Sequence, residues 1–407
     1  MRWYTCTPVA FGGGADFFAR DSGLLCRGFQ ALGVESRAVM PGERQAEDEA
    51  DLIRTDFKNL ESADWWKALN LDGVVLYAWG SPKFRKVAAA IHKAGIFLVL
   101  NQDNGGLVSP LLGPVAWAQE QQILSGAGRV RGGGVRWVKL LVKGFSKGLL
   151  WDDLFRIRHL REGDVITCVT PIAAGHYRRY CGIFGGEEFA GRVQVLPHPV
   201  HPQFRMQGTK RRQVVAVGRW DDRCQKRPER LMEVIGGLVQ RDPEVVVEIV
   251  GGGIELLQRW HSGLTEGQRA RVRLRGRMLP KEMVEIYAAS QVSYCPSAYE
   301  SFHIASGESL CCGCSVVAAR SASLAAFQWF ADEGVATLAA KDDLDGHLQA
   351  LEKELECWQR GQRNPEQISR VWCERLHADR VAERIAGMAA SLDLNDKDVR
   401  FRSSPTD

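Results

Sequence analysis

Short apolar runs alternate with longer amphipathic stretches along most of the chain. This pattern predicts parallel sheets covered by helices on both faces. In the first half the strand candidates are residues 3–8, 36–40, 73–77, 96–100, 164–169 and 193–196. Helical periodicity falls between them, as over 16–32 and 83–94. The run "LPHPVHPQF" interrupts the alternation. Pro197, Pro199 and Pro202 lack a backbone N–H and hold φ fixed, which disfavours both helix and ladder pairing. The alternation then restarts, with strands expected at 213–217, 245–250, 272–275, 292–295 and 315–318 and helices at 227–240, 281–289 and 304–312. The expected fold class is α/β, with two doubly wound Rossmann-like parallel-sheet domains facing a cleft, residues 1–200 and 201–365. A closing helix over 366–392 is expected to pack back on the first domain, and the polar stretch 393–407 reads as a flexible tail. In such sheets ligands bind at the carboxyl ends of the strands.

Composition narrows the class. A chain of 407 residues exceeds one ordinary core, and 45% hydrophobic with 25% charged residues fits a globular protein. The formal net charge of +4 is too mild for a nucleic-acid binder and suits an anionic ligand or surface. The eleven cysteines are odd in number, and Cys311, Cys312 and Cys314 lack paired Cys-x-x-Cys spacing. They read as reduced small core residues of a cytoplasmic protein. No signal-peptide pattern is evident at the start, and no apolar run reaches the ~18 residues of a membrane span.

Three motifs of the second half carry chemistry. In "VVAVGRWDDRCQKRPERLMEVI" a strand ends at Gly218, Arg219 follows, and Lys226 comes just before a helix. A guanidinium and an ammonium beside a helix N-terminus can clamp a diphosphate, although alone they also fit a solvated basic loop. In "VEIVGGGIELL" a strand runs into Gly251, Gly252 and Gly253, which permit close backbone approach or simply a tight turn. In "PSAYESFHIASGESLCCGCSVVAA" Glu300 lies in a loop and Glu308 on a helix. Ionised carboxylates accept hydrogen bonds from sugar hydroxyls; the bland reading is a surface acid and a helix cap.

Taken in order, these motifs resemble the retaining glycosyltransferases of the GT-B fold, family 4 (glycosyl transferases group 1). The match is close over residues 214–319, through Gly218-Arg219, Lys226, Gly251–Gly253, "RLRGRMLPKEMVEIYAAS", "PSAYESFHIASGES" and "GCSVVAA". The resemblance implies transfer of a sugar from a nucleotide-diphosphate sugar to a hydroxyl acceptor: a glycan, a glycolipid, a lipid-linked sugar or a small molecule. It implies no metal and no cofactor beyond that co-substrate. Arg219 and Lys226 would bind the diphosphate, Glu308 the ribose and Glu300 the sugar hydroxyls. Arg277 and Met278 would line the base pocket beside Gly218 and Gly252. Gly13 and Gly14 would approach the phosphates and acceptor from the first domain. Residues 301–304, Ser301, Phe302, His303 and Ile304, would border the donor sugar. Side chains at Ser301 and His303 replace glycines frequent in the family and narrow that pocket. The family's frequent first-domain histidine is replaced by "NQDNGG", which makes Asp103 the substitute contact to test first.

Arg136, Lys139, Lys143 and Lys147 share one helical face in "RVRGGGVRWVKLLVKGFSKGLL", with Trp137 and leucines nearby. The face fits either an ordinary docked helix or peripheral contact with the inner face of an anionic membrane. His198 and His201 read as linker packing or cleft edge. A dinucleotide oxidoreductase is disfavoured, because Phe17 stands where its glycine fingerprint needs Gly. A catalytically silent homologue that binds a sugar or a partner is the alternative.

Overall fold

Among the described residues thirteen strands, all parallel to their neighbours, build two sheets in the computed structural model. The structure describes residues 1–124 and 133–402, with side chains except at 124, 133–137 and 392–402. The first sheet holds β1 (Trp3–Cys6), β2 (Ala38–Pro41), β3 (Leu52–Thr55), β4 (Gly73–Tyr77), β5 (Phe97–Gln102), β6 (Val165–Cys168) and β7 (Val193–Val195), in the order β3-β2-β1-β4-β5-β6-β7. The second holds β8 (Arg211–Val217), β9 (Val246–Val250), β10 (Val272–Gly276), β11 (Ser290–Cys295), β12 (Ser315–Ala319) and β13 (Ala336–Ala339), in the order β10-β9-β8-β11-β12-β13. Central strands such as β1, β4 and β12 are buried along their whole length. That is why they read as unbroken apolar runs rather than alternating ones.

Strand order reverses between β1 and β4 in one sheet and between β8 and β11 in the other. Each reversal opens a crevice at the carboxyl ends, where doubly wound sheets bind ligands. Glu300 follows β11, and Arg219 and Lys226 follow β8, so the second crevice lies between the charged groups that the sequence singled out.

Several elements differ from expectation. The helix expected over 16–32 is two, Ala15–Phe18 and Asp21–Ala31, because Asp21 takes φ 49°. The stretch 83–94 opens with a single 3-10 turn, Pro82–Phe84, before the helix Arg85–Lys93. The closing helix is also two. Pro365–Leu376 packs on the helix Ile304–Cys311 of the second domain, and Ala378–Arg402 packs on Asp21–Ala31 of the first. There Val381, Ala382 and Ile385 join Trp3, Leu25 and Phe29 in one buried cluster. The last helix thus extends past 392; residues 403–407 of the expected tail lie outside the described residues. The proline segment is not a free linker. The Val200 N–H donates to Leu376 O at 2.7 Å, and the Ala378 N–H donates to Val200 O at 3.0 Å. The two chain crossings between the domains therefore run side by side.

Candidate functional site

In the second domain the loops after β8 and β9 are fitted to each other. A Cβ at Gly251, whose φ is 128°, would stand 1.8 Å from Gly218 O. The Trp220 N–H bonds Gly252 O at 2.8 Å, and its indole N–H bonds Val250 O at 3.0 Å. Loop packing thus accounts for part of the glycine run. Arg277 lies over Gly252 and is exposed, whereas Met278 packs against the core.

Lys226 precedes the helix Pro228–Arg241 and turns inward. Its Nζ meets Glu300 Oε1 at 2.5 Å, with both side chains largely buried. Gln225 Nε2 donates to Glu300 Oε2 and to Tyr299 O, each at 3.2 Å. Burial, which raises the Glu300 pKa, is outweighed by His303 and Lys226, so the carboxyl stays below its ordinary range. Lys226 carries this effect near neutrality, because burial pushes the His303 imidazole down to about 4 and leaves it uncharged there. Arg219 stands at the rim, 69% exposed, 3.4 Å from Asp222 and 3.3 Å from Gln225.

His303 sits at φ 65°, a conformation that favours glycine, and caps the helix Ile304–Cys311. Its Nδ1 lies 2.7 Å from Ser306 Oγ, and its ring tilts against Phe327. Phe302 is a core residue, edge-on to Phe330 and to His198, and Ile304 packs partly into the same core. On that helix Glu308 accepts from the Tyr287 hydroxyl at 3.2 Å. Burial pushes the Glu308 pKa up to about 7, against the pull of Tyr287 and of Arg20 from the first domain.

The first domain contributes a cavity of ≈ 910 Å³ at the ends of β1 and β4, lined among others by Phe11, Gly12, Gly14, Arg20, Tyr77, Trp79, Asp103 and His198. Gly14 faces it. Gly13 does not line it: a Cβ there would overlap Leu52 Cδ2 at 2.1 Å, so Gly13 serves packing on β3. Asp103 Oδ1 pairs with His198 Nε2 at 3.0 Å. Burial opposes both charges. His198 and the Ser301 hydroxyl nonetheless hold Asp103 below its ordinary range, and Asp103 with Asp21 holds His198 above its own. His198, expected as linker packing or cleft edge, is a buried wall of this cavity stacked on Tyr77.

The expected residues therefore form two neighbouring groups, bridged where Ser301 meets Asp103 and where Arg20 acts on Glu308. One group is Lys226, Glu300 and His303; the other is Asp103 with Gly14. Arg20, Tyr77 and Gln225 also stand in these groups and were not singled out from the sequence, and His198 was named there without its pairing to Asp103. The prolines flanking His198 were the available signal, since a rigid segment between domains positions whatever it carries.

Residues 211–356 match the family model described as glycosyl transferases group 1. No curated protein sequence matches the chain. Among solved structures, Anabaena Alr3699/HepE in complex with UDP and glucose aligns at 13% identity, TM-score 0.58, over 96% of this chain and 100% of that one. The apo lipopolysaccharide outer core galactosyltransferase WaaB aligns at 14% identity, TM-score 0.61, over 96% and 99%. Sucrose-phosphate synthase from Thermosynechococcus elongatus aligns at 13%, TM-score 0.58, over 97% and 100%. The chain thus shares the two-domain GT-B fold of these structures, and its residues 211–356 are similar to the group 1 glycosyltransferases.

Proposed function

We propose that the protein moves a sugar from a nucleotide-diphosphate donor to a hydroxyl acceptor, with retention at the anomeric carbon and without a catalytic metal. The observation that carries this reading is the buried Lys226–Glu300 pair at the second crevice, next to the N-terminus of the helix Ile304–Cys311. A donor diphosphate there meets a fixed ammonium, the rim guanidinium of Arg219 and backbone N–H groups at a helix start. Breaking the sugar–phosphate bond moves negative charge onto this cluster, and no further cation is required to neutralise it. Glu300 then holds sugar hydroxyls and does not act as a glycosidase-type nucleophile. Glu308 reads the ribose, and Arg277 with Met278 borders the base. The UDP and glucose named for HepE make a UDP-sugar the first donor to try.

The acceptor side is the cavity of the first domain. Its charged Asp103–His198 pair and aromatic walls suit a polyhydroxyl acceptor with an apolar portion. Lys139, Lys143 and Lys147 lie near exposed Val138, Val142, Phe145, Leu150 and Trp151. This basic, apolar surface supports peripheral contact with an anionic membrane and a lipid-linked acceptor; the Arg136 and Trp137 side chains lie outside the described residues. No described helix is long and apolar enough to cross a membrane.

The test is incubation with UDP-, GDP- and ADP-sugars, reading free nucleotide with and without a chelator, and the anomeric configuration of any product by NMR. Activity that survives chelation and retains configuration is expected. If Arg219→Ala and Glu308→Ala alter neither nucleotide binding nor turnover, the site is wrong. Nucleotide-sugar binding with no transfer or hydrolysis across the panel would favour the silent homologue.

A further inference from the structure

We infer that Cys311, Cys373 and His377 form a binding site for a soft divalent cation of the zinc type, set where the second domain hands the chain back to the first. Cys373 lies in the last turn of the helix Pro365–Leu376, and His377 caps that helix. A spacing of four residues puts both on one helical face. Cys311 closes the helix Ile304–Cys311, which packs against this one, and is fully buried. One sulfur from each cysteine and one ring nitrogen of His377 all lie within 4.8 Å of one another. Two thiolates and an imidazole are the donor set that borderline-soft zinc prefers, and three protein ligands leave one coordination position open. The imidazole orientation is held from outside, since His377 Nε2 faces Phe204 O at 2.9 Å. Cys373 is not in an apolar pocket either. Its Sγ lies 3.5 Å from Cys311 O, 3.7 Å from Phe204 O and 3.6 Å from Ser369 Oγ.

Charge favours this cluster over the other donor group among the described residues, Cys295, Glu300 and His303. There Glu300 already holds the Lys226 ammonium, which would repel a cation. At Cys311, Cys373 and His377 a dication held by two thiolates and a neutral imidazole would make an electrically neutral buried unit, the displaced protons passing to solvent. The site stands at the far end of the helix Ile304–Cys311 from Glu300, so its role is to tie the crossing rather than to touch the transferred sugar. His377 is also the residue whose backbone bridges to Val200 of the other crossing.

Titration of the full chain, reduced and stripped of metal, with Co²⁺ tests this. A sulfur-to-cobalt charge-transfer band and tetrahedral ligand-field bands are expected, displaced by stoichiometric Zn²⁺. Zn²⁺ is expected to raise the thermal midpoint. Both responses should be lost in Cys373→Ser and His377→Gln and kept in Cys295→Ser. Absence of the cobalt bands in the wild-type chain overturns the proposal, and this reading needs no variant to fold. Bands that persist in Cys373→Ser, or a Cys311–Cys373 disulfide in metal-free protein as isolated, overturn it equally.

Discussion

Lys226 and Glu300 compensate each other's charge in a largely buried place. Their side chains are 12% and 7% exposed. Replacing Glu300 by Leu leaves the ammonium uncompensated, and a loss of about 3–5 kcal/mol in unfolding free energy is expected by denaturant titration. On the proposed reading Lys226→Met should lower kcat by about 10²–10³-fold besides destabilising the fold, because the ammonium would stabilise charge that develops on the leaving group. Glu308 makes a different statement. Its carboxyl titrates near 7, above its ordinary value of 4.5. A carboxylate accepts from two ribose hydroxyls better than a carboxylic acid does. Nucleotide affinity measured by calorimetry should therefore rise as pH passes up through about 7, and Glu308→Gln should flatten that dependence. Stability runs the other way. The folded state holds the Glu308 proton more tightly than the unfolded chain. This stabilisation is complete below the ordinary carboxylate range and is lost as pH climbs through about 7.

At the scale of elements, the glycines divide into those that shape loops and those that seat helices. Gly251→Ala would force a methyl onto Gly218 O in a backbone region that alanine resists. A cost of about 3 kcal/mol, together with loss of nucleotide binding, is the expected result from thermal melts and calorimetry. A Cβ at Gly28 would meet Ala378 O at 2.2 Å, so Gly28→Ala should lift the last helix from the helix Asp21–Ala31. Faster hydrogen exchange over 378–389 would register that change. Elements of this kind were legible in the sequence where one physical signal dominated. The long buried runs of β4, β9 and β12 could be read because both faces are covered. β3, with sequence LIRT, and β13, with sequence ATLA, are short and half-exposed edge strands, and their runs carry no such signal. The break at Asp21 depends on one positive φ, which no periodicity encodes. Lys226 and Glu300 could be read because each follows a buried strand in a motif. The Asp103–His198 pair could not, because Asp103, after β5, and His198, after β7, are brought together only by the assembly of the first sheet.

At the scale of the whole molecule the two domains meet at the mouth of the first-domain cavity. There the Asp103–His198 pair of the first domain is reached by Ser301 from the second. The raised His198 pKa means that its stabilisation is present at low pH and lost as pH rises through the folded imidazole value. The lowered Asp103 pKa means that its own share is lost in acid. His198→Gln should remove the upper limb of a thermal-midpoint-against-pH curve and also weaken the acid limb, because His198 is the main partner that holds Asp103 below its ordinary range.

Because Val381, Ala382 and Ile385 complete the core around Trp3, Leu25 and Phe29, the first domain is built from both ends of the chain. During synthesis the amino-terminal sheet leaves the ribosome with that face uncovered. The residues that seal it follow only after the entire second domain has been made, roughly 10–40 s later at about 5–20 residues per second. The nascent chain must spend that interval guarded against sticking to itself, so this enzyme's yield in a cell should depend on chaperones more than its finished stability would suggest.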